Sequence, residues 1–198
     1  MTTWATGDVL TAAFLNAVPR TNNVQEDSVK YPIPLTAVRW ADGTIPDTTG
    51  AAGNPALVMG GYGSGTGLFL GEDAQAALKT ETVYFDFSIP ECYVASETVQ
   101  VRTTARFNDA GTNSETTKTI DCETYEVAEA GTVGSDICAT AIQTLTAAMA
   151  AYTFTVTDAL LAPGDLIRVF FQAKLQGDSN GVLKVEFGGF TVLLDIKG

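Results

Sequence analysis

Between residues 80 and 89 polar and apolar side chains take turns, with Thr82, Tyr84, Asp86 and Ser88 on one phase and Val83, Phe85, Phe87 and Ile89 on the other. A period of two sends one set of side chains to each side of a strand, so this segment predicts an apolar face turned inward and a mixed face turned outward. Comparable strands are expected at 97–107, 116–127, 136–145, 152–157, 165–175 and 182–196. Between them lie Asn108-Asp109-Ala110-Gly111-Thr112-Asn113, Glu129-Ala130-Gly131, Ala162-Pro163-Gly164 and Gly177-Asp178-Ser179-Asn180-Gly181. These are turn compositions of the kind that join antiparallel neighbours. Short strands at such spacing indicate a sandwich or barrel, and no repeat of solenoid or propeller period is visible.

The pattern before residue 80 is different. Residues 8–18 predict one short helix: Asp8 or Thr11 caps it, Leu10, Phe14, Leu15 and Val18 recur at helical spacing, and Pro19 stops it. Two to three turns are marginal alone, so the apolar stripe needs a second surface, on the body or on a partner. The polar run from Arg20 to Ser28 reads as a linker. Residues 30–40, with Tyr31-Pro32-Ile33-Pro34 and then Leu35, Val38 and Trp40, predict a first strand whose prolines keep it at a sheet edge. Turn residues dominate after Ala41, broken by Ala56-Leu57-Val58-Met59, and 41–79 is expected to be an irregular loop region. Residues 143–151 are ambiguous between strand and a helical turn, with no long helix expected. The domain reading is an arm at 1–29 and a β-sandwich body at 30–198.

Charge separates these two parts further. The chain of 198 residues has 11 Lys and Arg against 23 Asp and Glu, a formal net charge of −12. Residues 1–40 balance Arg20, Lys30 and Arg39 against Asp8, Glu26 and Asp27, so the whole excess falls on 41–198. An acidic body disfavours phosphate backbones and anionic membranes, and neither nucleic acid nor membrane is expected as a partner. No stretch reaches 18 uncharged apolar residues and the first residues lack a basic and apolar leader, so a soluble protein made in the cytoplasm is expected.

Histidine is absent, which removes the commonest general base and every Ser-His or Cys-His arrangement. Cys92, Cys122 and Cys138 lack metal-ligand spacing and read as buried thiols. If 116–128 and 136–145 form a hairpin about Gly131, Cys122 and Cys138 fall opposite each other and a disulfide becomes geometrically open. The glycine-rich run 60–67 has no Lys-Ser/Thr and no strand-to-helix setting, so it reads as a surface loop with Tyr62 as a contact anchor. Asp121 with Glu123, or Glu126 with Glu129, matches the two carboxylates of a glycosidase in number only, since i, i+2 spacing equally describes a solvated sheet face. Trp4 and Trp40 lie near the arm, away from these acids. The turns at 109–113 and 177–181 carry oxygen ligands without the spacing of a calcium loop. No catalytic residue, metal or cofactor is expected.

Two resemblances carry the functional expectation. The run from Ala159 to Val169, with Pro163-Gly164-Asp165 leading into a β-branched and aromatic strand, resembles a strand start in jelly-roll domains of tailed-bacteriophage virion proteins. Trp4 and Gly7-Asp8-Val9-Leu10-Thr11-Ala12-Ala13-Phe14-Leu15-Asn16 are similar to the N-terminal anchoring segment of phage tail-fibre, head-fibre and decoration proteins. The resemblance implies an all-β, antiparallel jelly-roll-like sandwich behind a short arm, acting as a capsid decoration (cement) protein on the virion surface. It implies a homotrimer bound to the major capsid protein, with Trp4, Leu10, Phe14, Leu15, Val18 and Tyr62 as partner-binding residues. A tail-fibre or receptor-binding module touching a host glycan is the alternative, and a glycan-degrading domain a second one.

Overall fold

A computed structural model describes residues 28–43, 56–59, 68–72, 77–95, 97–109, 115–128, 130–157, 161–177 and 183–196. They form two facing antiparallel sheets of six strands each. Sheet I contains β1 (Ser28–Ile33), β3 (Ala56–Met59), β4 (Leu68–Glu72), β6 (Val99–Asp109), β10 (Ala150–Val156) and β12 (Leu183–Asp195), in the order β10-β6-β12-β4-β3 with β1 also on β12. Sheet II contains β2 (Arg39–Trp40), β5 (Lys79–Ser88), β7 (Thr117–Val127), β8 (Val133–Asp136), β9 (Gln143–Thr144) and β11 (Leu166–Gln176), in the order β2-β5-β11-β7-β8 with β9 also on β7. The all-β antiparallel sandwich expected from the alternation is the observed architecture.

The alternation also accounts for the core. Along β11 each inward residue is buried and each outward one half-exposed, and the middle of β5, at Val83 and Phe85, and of β7, at Ile120, Cys122 and Thr124, is buried on the same alternate positions. Phe171 on sheet II packs 5.1 Å from Phe190 and 5.8 Å from Phe154 of sheet I, and Phe85 lies 5.9 Å from Phe190. These rings close the gap between the sheets, each fully buried phenylalanine contributing about 1.5–3 kcal/mol.

Several expected connections take a different course. The turns at 108–113, 162–164 and 177–181 lead across to the opposite sheet: β6 precedes β7, β10 precedes β11 and β11 precedes β12, and none of these pairs is hydrogen-bonded as neighbours. Crossing keeps both apolar faces pointed at one core, which a hairpin within a single sheet does not do by itself. Of the four expected turns, the one at Gly131 closes a hairpin, β7 to β8, with Gly131 at φ 78° donating its N–H to the Ala128 carbonyl at 2.7 Å. Gly164, at φ 89°, follows Pro163 in a tight turn closed by Asp165 N–H to the Ala162 carbonyl at 3.2 Å, the position where a left-handed residue is required.

The expected single strand at 30–40 is two. β1 pairs with β12 in sheet I, a short 3-10 turn at Leu35–Ala37 follows Pro34, and β2 pairs with β5 in sheet II. Proline fixes its own φ and lacks an N–H, so the ladder breaks there and the chain switches sheets. The strand expected at 136–145 is not continuous: β8 ends at Asp136, Cys138 makes an isolated bridge to Val156, and only Gln143–Thr144 form a further strand, β9, with β8 and β9 both on β7. Within 41–79, expected as loop, β3 and β4 pair antiparallel and β4 joins β12, so Ala56-Leu57-Val58-Met59 is a strand of sheet I. No long helix occurs over 143–151. The expected helix at 8–18 and the glycine-rich run 60–67 lie outside the described residues.

Candidate functional site

The outward phase of sheet II collects a feature that the alternation hides when each strand is read alone. Tyr84 on β5, Phe170 on β11 and Glu123 on β7 stand in one cross-strand row, and Asp86, Arg168 and Tyr125 stand in the next. Three half-exposed aromatic rings therefore meet on adjacent strands. Tyr84 and Phe170 have ring centroids 5.3 Å apart, and Tyr125 meets Phe170 edge-on at 5.7 Å. Packing against one another restrains the rings, and side chains with two rotatable angles lose little freedom in doing so.

Polar groups surround and orient this cluster. Arg168 donates from Nε and Nη2 to the two carboxylate oxygens of Asp86 at 2.7 and 2.9 Å, and its guanidinium lies 4.7 Å from the Tyr84 ring centre. The Asp86 carboxylate holds this guanidinium still further toward its charged form. The Tyr125 hydroxyl donates to Glu123 at 2.8 Å, and this bond, with burial and the charges of Glu123 and Asp136, pushes the phenol up to about 12. Gln172 donates to the Thr82 hydroxyl at 3.4 Å one row further along. Arg39, opposite Tyr84, is tied by Nη1 to the carbonyls of Thr36 and Val38 at 2.6 and 2.8 Å. The face thus offers apolar ring area in the middle and fixed donors and acceptors at its margin, the composition of a small-molecule or polymer binding surface.

The residues singled out from sequence fare differently. Trp4, Leu10, Phe14, Leu15, Val18 and Tyr62 all lie outside the described residues. Asp121 and Glu123 do share the outer face of sheet II, but as supports: Glu123 accepts from Tyr125, and Asp121 Oδ1 accepts from the Cys122 N–H at 3.0 Å. Trp40 packs against the core beside Val83 and forms no platform. Cys122 and Cys138 do come together, with the two thiols hydrogen-bonded to each other, and both are free. Burial pushes the Cys122 thiol up, while the bond from Cys122 lowers Cys138. Among the described residues no group of three or more Cys, Asp or Glu side chains is assembled for a metal ion.

The aromatic cluster contains no tryptophan, so neither tryptophan marks it in the sequence. Its signal lies elsewhere: Phe170-Phe171 are adjacent in a strand, so one ring has to face outward, and Tyr84 and Tyr125 both sit on the polar phase.

The sequence matches no protein-family model, and no curated protein matches it. Among solved structures, the xylan-binding module CBM15 superposes with a TM-score of 0.50 at 14% identity, covering 86% of this chain and 99% of that one. A structure described as CBM4 covers 66% of this chain and 84% of its own at 18% identity and a TM-score of 0.38. The CBM22-1 xylan-binding domain from Paenibacillus barcinonensis Xyn10C covers 75% and 100% at 9% identity and a TM-score of 0.35. The last two overlap too loosely to align a site. The first establishes a shared jelly-roll β-sandwich over most of both chains.

Proposed function

We propose that this chain is a non-catalytic β-sandwich module that binds a neutral polysaccharide across the outer face of sheet II. The observation that carries this reading is the contiguous cluster of Tyr84, Phe170 and Tyr125, half-exposed and bordered by Asp86, Arg168, Glu123 and Gln172. A pyranose ring has an apolar C–H face and an equatorial belt of hydroxyls, so it matches exposed aromatic area, here rings set at 41° and 85° to one another, with fixed polar groups around it. The net charge of −12 favours an uncharged polymer over an anionic one. The sandwich shared with the xylan-binding module CBM15 is compatible with this role. Affinity electrophoresis against soluble xylan, mixed-linkage β-glucan and β-galactan tests it. At least one of these should retard the protein, and Phe170→Ala should abolish the retardation with its circular-dichroism spectrum unchanged. Free migration in all three would reject the reading.

The leader supplies a second proposal. Its resemblance to phage anchoring segments favours an arm, residues 1–29, that docks a glycan-binding body on a virion through Trp4, Leu10, Phe14 and Leu15, as in a receptor-binding or fibre module. Capsid decoration as a homotrimer on the major capsid protein rests on the same segment. A chain lacking residues 1–20 should keep its polysaccharide binding and lose binding to phage particles. Copy number per particle separates the two placements, with few copies for a fibre module and many for a cement protein.

A further inference from the structure

β4 and β1 pair with the same edge of β12, one after the other. The β4 ladder stops at Phe187 opposite Leu68, and the β1 ladder starts at Phe190 opposite Ile33, so Gly188 and Gly189 are covered by neither strand. The β6 ladder shifts register at the same point, which makes a bulge. A cavity of about 370 Å³ opens there, walled by Pro32, Leu35, Arg102, Thr104 and Thr191 over the two glycines. This volume suits one small ligand, at the lower end of the usual range of about 300–1,000 Å³.

The electrostatics of this cavity differ from those of the chain as a whole. Arg102 is the one charged side chain in its lining. Its cross-strand neighbours are Thr153 and Thr191, and its Nε donates to the Thr153 hydroxyl at 3.1 Å. No carboxylate among the described residues forms an ion pair with it. Arg106, two outward positions along the same strand, faces Glu186 directly and is neutralised by it. A half-buried guanidinium that meets no carboxylate among the described residues suits a planar anion that takes two parallel N–H bonds.

We infer that this bulge cavity is a binding site for a single carboxylated sugar, a uronic acid residue, separate from the aromatic face of sheet II. Arg102 takes the carboxylate, the hydroxyls of Thr104 and Thr191 meet the ring hydroxyls, and Pro32 with Leu35 covers the C–H face. The absence of a side chain at Gly188 and Gly189 leaves room for the ring.

Titration of the full chain with D-glucuronate, followed by amide shifts in NMR, tests the site against methyl glucoside and acetate. Glucuronate should shift Gly188, Gly189 and Thr191 selectively. Arg102→Gln should weaken that binding by about tenfold or more, the loss expected for a charge-assisted pair, and Arg102→Lys by less. Both variants should keep the binding of neutral polysaccharide, and Phe170→Ala should keep the glucuronate shifts, so the two sites stand or fall separately. Equal shifts with methyl glucoside would overturn the role of the carboxylate. Acetate binding as tightly as glucuronate would overturn the sugar assignment, and an unchanged affinity in Arg102→Gln would overturn the site.

Discussion

The hydroxyl of Tyr125 donates to the carboxylate of Glu123 at 2.8 Å, two residues back on the same face of β7. The phenol is thereby held protonated up to about 12, against an ordinary value of 10.0. A folded-state value above the unfolded one means that the folded chain keeps the proton longer. The stabilisation from this group is therefore complete below about pH 10 and disappears as the pH rises through about 12. NMR titration of labelled tyrosine rings, assigned with Tyr125→Phe, should show one ring titrating near 12. Glu123→Gln should bring that midpoint back toward 10.0, because a neutral amide accepts a weaker bond from the phenol than a carboxylate does and does not repel the phenolate.

Arg168 tests whether the border of the aromatic cluster matters for binding more than for folding. Its side chain and that of Asp86 are 30% and 39% exposed, so solvent screens their pairing and the pair is worth about 0–1 kcal/mol. Lysine keeps the charge while losing the two-pronged bond to Asp86 and the guanidinium contact over the Tyr84 ring. In Arg168→Lys, denaturant unfolding should shift by no more than about 1 kcal/mol. Retardation in a polysaccharide gel should fall several-fold. A large stability loss with intact binding would make Arg168 a purely structural group.

How far these features could be read in the sequence depended on whether neighbours in the fold were also neighbours in the chain. The inward phase of β5, β7 and β11 was legible because alternation is a local signal, and it fixed the two-layer core around Phe85 and Phe171. Strand order was not legible, since the choice between a hairpin and a crossing at 108–113 depends on which apolar faces meet. Proline at 32 and 34 signalled an edge, but the switch from β12 to β5 within seven residues, Ile33 to Arg39, is a tertiary event. The aromatic face requires three strands to be set in register, Tyr84 beside Phe170 and Tyr125 one row on, and no single segment contains that information. The bulge cavity depends on two edge strands ending on either side of Gly188, which was equally out of reach.

The three thiols should react in a fixed order. Cys92 is exposed, Cys138 half-buried and Cys122 buried. Burial raises the Cys122 thiol and so suppresses its thiolate, whereas the hydrogen bond from Cys122 lowers Cys138. Native-state labelling with a thiol reagent, read by mass spectrometry of the fragments, should modify Cys92 first and Cys138 next. Cys122 should react only under conditions that unfold the sandwich. Early modification of Cys122 would mean that β7 opens locally far more often than its buried neighbours Ile120 and Thr124 imply.

Gly188 isolates a steric requirement from a conformational one. Its φ is not in the left-handed region, so alanine is compatible with the backbone there. The obstacle is space: a Cβ would lie 2.5 Å from the Thr104 hydroxyl oxygen, well inside contact distance, and 3.7 Å from the Met149 sulfur, which is ordinary packing. Gly188→Ala should therefore destabilise the fold by about 1–3 kcal/mol, the usual cost of overpacking. Thr104→Ala removes the obstructing oxygen at a half-exposed position and should cost little by itself. Combining the two changes should recover most of the loss, giving a coupling of about 0.5–3 kcal/mol between residues in direct contact. If chemical denaturation gave simply additive losses, the glycine would be required for the shape of the bulge and not for clearance over β6.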